Sequence, residues 1–269
     1  MEAGELPLNL RRQQLSLQYV VKLRSNPSNP AFQCVFNSGF SRLFEARPSV
    51  IATLGHRLQQ SLLDCGIVLG NIAKYSNPQF PPWVLKAPEY QFSLSLLGSK
   101  SEVSPNLYET KVNELLSAYD GFKRIFTDGS KIGEAAGAAA VLATCVSNKR
   151  LPNHSSIFTA ETRAILLALE MAQRSSGNQF LILSDSLSCL QSMRNRDMSR
   201  PLIVEILCCI HKMLLAGARL VFMWVPSHVG LTGNSAADTA AKAAVLMPIS
   251  SLTLPYSDYL PLKYIQRTS

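Results

Sequence analysis

The sequence predicts an α/β fold, and three features in its second half lead to this prediction. A short apolar strand at 124–128 ends in Asp128, an amphipathic helix follows, and the apolar run 180–184 ends in Asp185. A continuous apolar run is typical of a central strand that is covered on both faces. Strands joined through a helix are usually parallel neighbours, so the pattern favours a sheet with helices around it.

The first 105 residues are predicted to form a mainly helical accessory segment. Residues 8–25 have a helical pattern, with Leu8, Leu15 and Tyr19 on one stripe. A second helix is expected after Pro48, and the proline-rich residues 76–90 favour an extended connection. We expect a linker helix at 106–120, with its apolar stripe within 106–119.

The main domain is predicted at residues 121–247, and a tail with little periodicity follows at 248–269. The predicted elements of the domain are strands at 124–128, 136–146 and 149–158, a helix at 159–175, a strand at 180–184, helices at 186–195 and 201–216, a strand at 220–225 and a helix at 235–246. The first three strands are predicted to form an antiparallel meander. Thr159 is the predicted cap of the first helix.

Four carboxylates are predicted at the ends of these elements. Asp128 and Asp185 end strands, whereas Glu161 and Asp238 lie in first helical turns, above the stripes that face the sheet. Carboxylates gathered at one edge repel each other unless cations are bound. Oxygen ligands without thiolates or imidazoles favour Mg²⁺ or Mn²⁺, and two such ions clamp the attacking and leaving oxygens of a phosphodiester. The indicated chemistry is phosphoryl transfer to water.

Composition and charge agree with a globular protein that binds a polyanion. The chain has 269 residues, 47% of them hydrophobic, and residues 121–269 hold 15 Lys and Arg against 9 Asp and Glu. The six cysteines lack paired spacing, and we read them as reduced core residues. The start has no secretory pattern, and the apolar stretch 202–217 is interrupted by charge and too short for a bilayer. We therefore expect an intracellular protein, nuclear or cytoplasmic, that is neither secreted nor bound to a membrane.

The carboxylates occur in four motifs that resemble type 1 ribonuclease H over residues 121–247. The motifs are, in order, Thr-Asp128-Gly-Ser, Ala-Glu161 at a helix start, Ser-Asp185-Ser, and Val-Pro-Ser-His228-Val-Gly with Gly-Asn234-Ser-Ala-Ala-Asp238. The resemblance implies a ribonuclease H-like mixed sheet of five strands flanked by helices. It also implies an endonuclease that cleaves the RNA strand of an RNA–DNA hybrid with two Mg²⁺ ions, Mn²⁺ being possible.

The same resemblance assigns roles to individual residues. It implies that Asp128, Glu161, Asp185 and Asp238 bind the metal and that His228, on a mobile loop, helps proton transfer or product release. The implied substrate contacts are Gly129, Ser130, Thr159, Ser186 and Asn234. Backbone groups near Gly129 and Ser130 are expected to read the 2′-hydroxyl of RNA.

The region before residue 121 is similar to the linker between reverse transcriptase and ribonuclease H in polyproteins of LINE-type retrotransposons. This similarity rests on Leu-Arg-Arg-Gln-Gln-Leu near the start and on the proline-rich stretch at 78–88. It implies a retrotransposon origin and a reverse transcriptase domain as partner.

Two departures from the family pattern bear on substrate binding. Many bacterial members insert a basic, aromatic handle after the third carboxylate, whereas here only residues 194–200 separate two helices. Leu187 also stands where those members often carry an amide.

Other functions fit the sequence less well. A proofreading exonuclease and an aspartyl-nucleophile phosphatase both need a second acid two positions after Asp128, where Ser130 stands. A catalytically silent module of retroelement origin, which binds hybrid or protein without cutting, stays open as an alternative.

Overall fold

The protein divides into two compact units. The computed structural model describes residues 7–36, 46–47, 51, 53–75, 80–97, 105–227 and 230–260. One unit comprises Met1–Ser76 with Leu252–Ser269, and the other comprises Asn77–Ser251. Each of the predicted ranges 1–105 and 248–269 is therefore divided between the two units.

The first unit is helical where the structure describes it. Its helices are α1 (Leu8–Ser25), α2 (Ala31–Phe36), α3 (Leu54–Arg57) and α4 (Gln59–Asp64), with short 3-10 turns at Leu69–Asn71 and Tyr256–Tyr259. A parallel bridge between Ile72 and Leu254 joins its two stretches of chain. The predicted stripe of α1 is wrong, because Leu17, Val20 and Val21 face the core, while the three residues of that stripe are exposed.

The second unit is built on one sheet. Its described strands are β1 (Glu89–Gln91), β2 (Lys123–Ile132), β3 (Ala135–Leu142), β4 (Cys145–Leu151), β5 (Gln179–Ser184) and β6 (Arg219–Trp224). They lie in the order β1-β6-β5-β2-β3-β4. Strands β1, β6, β5 and β2 are parallel, and β2, β3 and β4 form the antiparallel meander. The predicted class, a mixed sheet flanked by helices, is confirmed.

The sheet has one strand more than the five expected. Residues Glu89–Gln91 pair in parallel with Val221–Met223 of β6. They follow Pro88 in a stretch that was predicted to be a simple extended connection. A run of three residues is too short to show the alternation that identifies a strand in a sequence.

Helices cover the sheet, and their bounds are α5 (Pro105–Ser117), α6 (Ile157–Arg174), α7 (Leu187–Arg194), α8 (Pro201–Leu215) and α9 (Thr232–Ala244). Small residues of β3 let α9 lie close. A Cβ on Gly137 would come 2.4 Å from the Ala241 carbonyl oxygen, and Ala138, Ala139 and Ala140 are fully buried. This close packing holds the last turns of α9 against β3.

Several boundaries differ from the predicted ones, including the end of β3, which is at Leu142 and not at 146, and the start of α9, which is at Thr232 and not at 235. Strand β2 continues to Ile132 and turns at Gly133, and β4 lies earlier, at Cys145–Leu151, than the predicted 149–158. Helix α6 begins at Ile157, because the Ser156 hydroxyl accepts a hydrogen bond from the Thr159 backbone N–H and so caps the helix.

Two expectations about the whole chain can be compared with the structure. Within the described residues, no helix has both the length and the apolar character needed to cross a bilayer. The six cysteines all lie in this described part and are free, but the expectation that they are core residues is wrong for most of them, because only Cys189 is buried and Cys34 and Cys145 are exposed.

Candidate active site

Three of the four predicted carboxylates meet at one edge of the sheet. Strands β2 and β5 run in parallel with Thr127 opposite Ser184, so the next residues, Asp128 and Asp185, emerge side by side. One carboxylate oxygen from each of Asp128, Glu161 and Asp185 lies within 4.8 Å of the other two. We call these three residues the acidic cluster.

Helix α6 brings Glu161 to the cluster because Gly129 has no side chain. A Cβ at Gly129 would lie 2.6 Å from the Glu161 backbone nitrogen and 2.8 Å from the Ala160 carbonyl carbon. Both distances are shorter than any normal contact, so only glycine lets α6 approach β2 this closely. The Gly129 backbone also donates a hydrogen bond that favours the charged form of Glu161.

Burial and mutual repulsion make the charged state of the cluster costly. Burial, together with the nearby Asp185 and Asp238, raises the pKa of Asp128 to about 7. Burial is also the largest cause that raises the pKa of Glu161 well above its ordinary value, and Asp185 and Asp128 add to it. The arrangement is therefore electrostatically unfavourable without a compensating cation.

Asp238 stands next to this cluster but has a different partner. Its carboxylate raises the pKa of Asp128, so the two groups interact. Asp238 forms an ion pair of 2.8 Å with Lys242, one helical turn further along α9. Gly233 fixes the start of α9 against β2, since a Cβ there would overlap the ring of Phe126.

The carboxylates do not all occupy the positions expected for them. Asp128 is inside β2 and not at its end, although β5 pairs with β2 only as far as Thr127. Glu161 and Asp238 lie beyond the first turns of α6 and α9, because these helices begin at Ile157 and Thr232. Asp128 and Glu161 still meet Asp185, because each remains on the side of its strand or helix that faces the other carboxylates.

The predicted substrate contacts are spread around the same edge. Gly129 and Ser130 follow Asp128 on β2, and Ser186 immediately precedes α7. The Thr159 backbone N–H donates to the Ser156 hydroxyl, and the Thr159 hydroxyl accepts a hydrogen bond from that same hydroxyl. Asn234 is buried in α9, and its Oδ1 has no hydrogen-bond partner within the described residues.

The remaining predicted site residue, His228, lies outside the residues that the structure describes. Its neighbours Ser227 and Gly230 belong to the connection between β6 and α9.

The acidic cluster fits a divalent cation. Its ligand atoms are all carboxylate oxygens, the type that Mg²⁺ and Mn²⁺ prefer. Glu161 Oε2 is buried and has no hydrogen-bond partner in the described part of the chain. A buried carboxylate oxygen without a donor is expensive, and a cation held between the three groups would remove that cost.

Two residues near the site were missed by sequence reasoning. Lys242 follows Asp238 by four residues, and that spacing on a helix is the usual signal for an ion pair. Ser156 caps α6. Serine and threonine are both common caps, so the sequence alone did not distinguish Ser156 from Thr159, three residues later.

Comparison with known families agrees with this geometry. The family model described as RNase H matches residues 122–246, a little less than half of the chain. No curated protein matches the chain. The matched range contains the whole acidic cluster together with Asp238, and strands β2–β6 of the sheet. Residues 122–246 therefore form a ribonuclease H domain of the type 1 family that their motifs resemble.

Proposed function

We propose that the chain is an endonuclease that hydrolyses the RNA strand of RNA–DNA hybrids with divalent metal ions. The family supports activity of the ribonuclease H type in general. The observation on which the finer proposal rests is the convergence of three buried or half-buried carboxylates to within 4.8 Å, among them a Glu161 oxygen for which the described residues provide no hydrogen-bond partner. A site with this donor set and this repulsion is suited to cations and to a phosphate that approaches them.

The four carboxylates have separate tasks in this proposal. Asp128, Glu161 and Asp185 would hold one Mg²⁺ ion, or Mn²⁺ in its place, and Asp238, which interacts with Asp128, would contribute to holding a second. The chemistry that such ions supply is activation of a water nucleophile and stabilisation of negative charge on the phosphate. His228 assists proton transfer or product release, as the family resemblance implies.

The surrounding residues position the hybrid. Gly129 and Ser130 lie next to Asp128, which supports their assignment to the RNA strand, where backbone groups can contact a 2′-hydroxyl. Ser186 adjoins Asp185, and the free Oδ1 of Asn234 supports a polar contact on the α9 side. Thr159 contributes by holding the start of α6, because its groups are engaged with Ser156.

The cellular context is proposed from the sequence. We propose an intracellular protein of LINE-type retrotransposon origin that acts together with a reverse transcriptase domain. The similarity of the first 120 residues to such linkers supports this origin.

The test is cleavage of an end-labelled RNA–DNA hybrid in Mg²⁺ by the full chain. We expect cuts in the RNA strand, none in a DNA duplex of the same sequence, and loss of cleavage in Asp185→Asn. Asp120→Asn is a matched control, since it removes an exposed carboxylate in the turn before β2.

A second readout separates metal binding from catalysis. A ligand that binds only the folded state stabilises it by about 2.7 kcal/mol at a hundred times its Kd. Mg²⁺ should therefore raise the Tm of the wild type and of Asp120→Asn, and raise it less in Asp185→Asn. Binding of hybrid without cleavage in either Mg²⁺ or Mn²⁺ would reject the nuclease and leave the silent binding module.

A further inference from the structure

A cavity of about 560 Å³ lies beside the acidic edge of the sheet. Its walls come from the end of β1, from the 3-10 turn Ser93–Leu96 that follows, and from the last turn of α7. We call it the β1 pocket. A volume of this size is in the range of small-molecule sites and can hold one nucleobase with its sugar.

Two aromatic rings and a guanidinium line this pocket. The rings of Tyr90 and Phe92 are nearly parallel, with 6.0 Å between centroids and 5° between planes. The guanidinium carbon of Arg194 lies 5.5 Å from the centroid of Phe92. Tyr90 also stacks on the buried Phe222, with 5.8 Å between centroids, so the core holds Tyr90 in place and Phe92 with Arg194 forms the stacking surface of the pocket. An aromatic ring with a planar cation over it is a group on which proteins stack unpaired bases.

Polar groups in the same walls can contact the edges of a base. Gln191 of α7 offers an amide and Ser93 offers a hydroxyl, whereas the Ser95 hydroxyl donates to the Phe92 carbonyl oxygen at 2.7 Å and can only accept from a ligand. The Tyr90 hydroxyl is buried and lacks a hydrogen-bond partner among the described residues. The wall therefore holds hydrogen-bonding capacity that the described protein groups do not use.

The strand order places the β1 pocket near the acidic cluster. Gln91 is opposite Met223 of β6, so Phe92 is level with Trp224, which is opposite Ser184 just before Asp185. Phe92 is thus two strands away from β5, or about 10 Å at about 4.8 Å per strand. That distance corresponds to about three base steps of a duplex strand.

The pocket is not built from the family domain alone. Tyr90, Phe92 and Ser93 precede the range 122–246 that the family model matches, whereas Gln191 and Arg194 lie within it. The edge strand β1 thus adds a binding wall to the acidic edge.

We propose that the β1 pocket binds an unpaired base of a nucleic-acid strand that extends beyond the hybrid in the active site. This inference rests on the proposed function, because that function brings a strand to the acidic edge. The aromatic stacking surface, the arginine and the position about three base steps from Asp185 all favour a nucleic-acid strand over a protein segment.

The experiment compares three substrates by fluorescence anisotropy in EDTA, where the hybrid is not hydrolysed. The first is a blunt hybrid. The second is the same hybrid with a single-stranded extension of six thymidines, placed at each end in turn. The third carries an extension of six abasic residues in the same positions. The thymidine extension at one end should tighten binding about five- to thirtyfold relative to blunt hybrid, and the abasic one should not.

Two variants test the walls of the pocket. Phe92→Leu removes the ring and keeps apolar bulk, and Arg194→Gln removes an exposed cation. Each should abolish most of the gain from the thymidine extension and leave binding and Mg²⁺-dependent cleavage of the blunt hybrid within about twofold. Arg174→Gln is the control, because this exposed arginine ends α6 far from the Glu161 end of that helix.

Equal Kd values for the thymidine and abasic extensions would overturn the proposal, as would an unchanged extension effect in both variants. If one variant loses both thermal stability and affinity for the blunt hybrid, its fold is damaged, and the other variant then decides the test. The gain in affinity from the extension is measured without hydrolysis. If the wild type shows this gain but cleaves no hybrid, the proposed nuclease is wrong and the assignment of the pocket still stands.

Discussion

Raising the pH of the metal-free protein should destabilise it, and the acidic cluster sets the size of the effect. Burial, followed by Asp185 and Asp238, raises the pKa of Asp128 from 3.8 to about 7 in the folded protein. Between these two values the folded protein holds a proton that the unfolded chain has lost. The stabilising effect of that proton is complete at low pH and is lost as the pH rises through the folded pKa.

The magnitude follows from the linkage relation. The free energy of unfolding falls by about 1.4 kcal/mol per pH unit below the folded pKa, and the slope vanishes above it. From about pH 5.5 to about pH 8.5 the loss due to Asp128 is therefore about 2 kcal/mol. The raised pKa of Glu161 acts in the same direction.

Urea unfolding in EDTA measures this loss. Trp224 is a local reporter, because its indole N–H donates to the Asp185 carbonyl oxygen at 3.0 Å. Trp83 is 79% exposed, and the two tryptophans are the only ones in the chain, so Trp83→Phe in every sample isolates the signal. A loss of about 2 kcal/mol lowers the urea midpoint by about 1 M.

Asp128→Asn should remove the part of this pH dependence that comes from Asp128, about 2 kcal/mol, and leave the part that comes from Glu161. Saturating Mg²⁺ at high pH should restore stability to the wild type. Asp120→Asn should keep the full dependence. A midpoint that does not fall with pH in the wild type, or that falls equally in Asp128→Asn, would refute the electrostatic account of the cluster.

Three further predictions concern the packing and charges around the site. Gly129→Ala should lower hybrid cleavage at least tenfold and the Tm by several degrees, because its Cβ would displace the backbone of Glu161. Ser156→Ala should lower the free energy of unfolding by about 1 kcal/mol through loss of the α6 cap, as urea titration would show. Lys242→Gln should change stability by less than about 1 kcal/mol, since its ion pair with Asp238 is exposed, and should tighten Mg²⁺ binding in calorimetry because a competing cation is gone.

Each of these changes has a matched control. Gly70→Ala adds a methyl group where no atom lies within 4 Å, and Ser235→Ala removes an exposed helical hydroxyl. Lys149→Gln breaks a comparably exposed pair with Glu170. Full cleavage by Gly129→Ala, wild-type stability of Ser156→Ala, or weaker Mg²⁺ binding by Lys242→Gln would each contradict the corresponding argument.

The sequence was most informative where a pattern is repeated many times. The apolar run 180–184 and the stripe under Glu161 each combine several residues, so they predicted β5, α6 and the convergence of three of the four carboxylates correctly. The roles of the individual site residues stay predictions. The fold class followed from the same patterns, because a buried strand and a long amphipathic helix have few ways to pack.

The sequence-based prediction failed where a segment can form its structure in several equally good ways and contacts with distant parts of the chain decide between them. In α1, helical spacing fitted Leu8 and Tyr19, yet Leu17 and Val20 are the residues that meet the rest of the first unit. Strand β1 forms because it can pair with the edge of β6, and no pattern within Glu89–Gln91 indicates this pairing. Sequence periodicity records what a segment can bury and not which neighbour will cover it.

The edge strand β1 has a consequence for the solubility of shortened chains. The residues of β6 that it covers, Val221, Phe222 and Met223, carry no charge, whereas β4 at the opposite edge carries Lys149 and Arg150. Charged edges resist pairing with other molecules, and uncharged apolar ones invite it. A chain trimmed to the family range 122–246 would expose β6 along its whole length and self-associate, and a chain that keeps β1 would not.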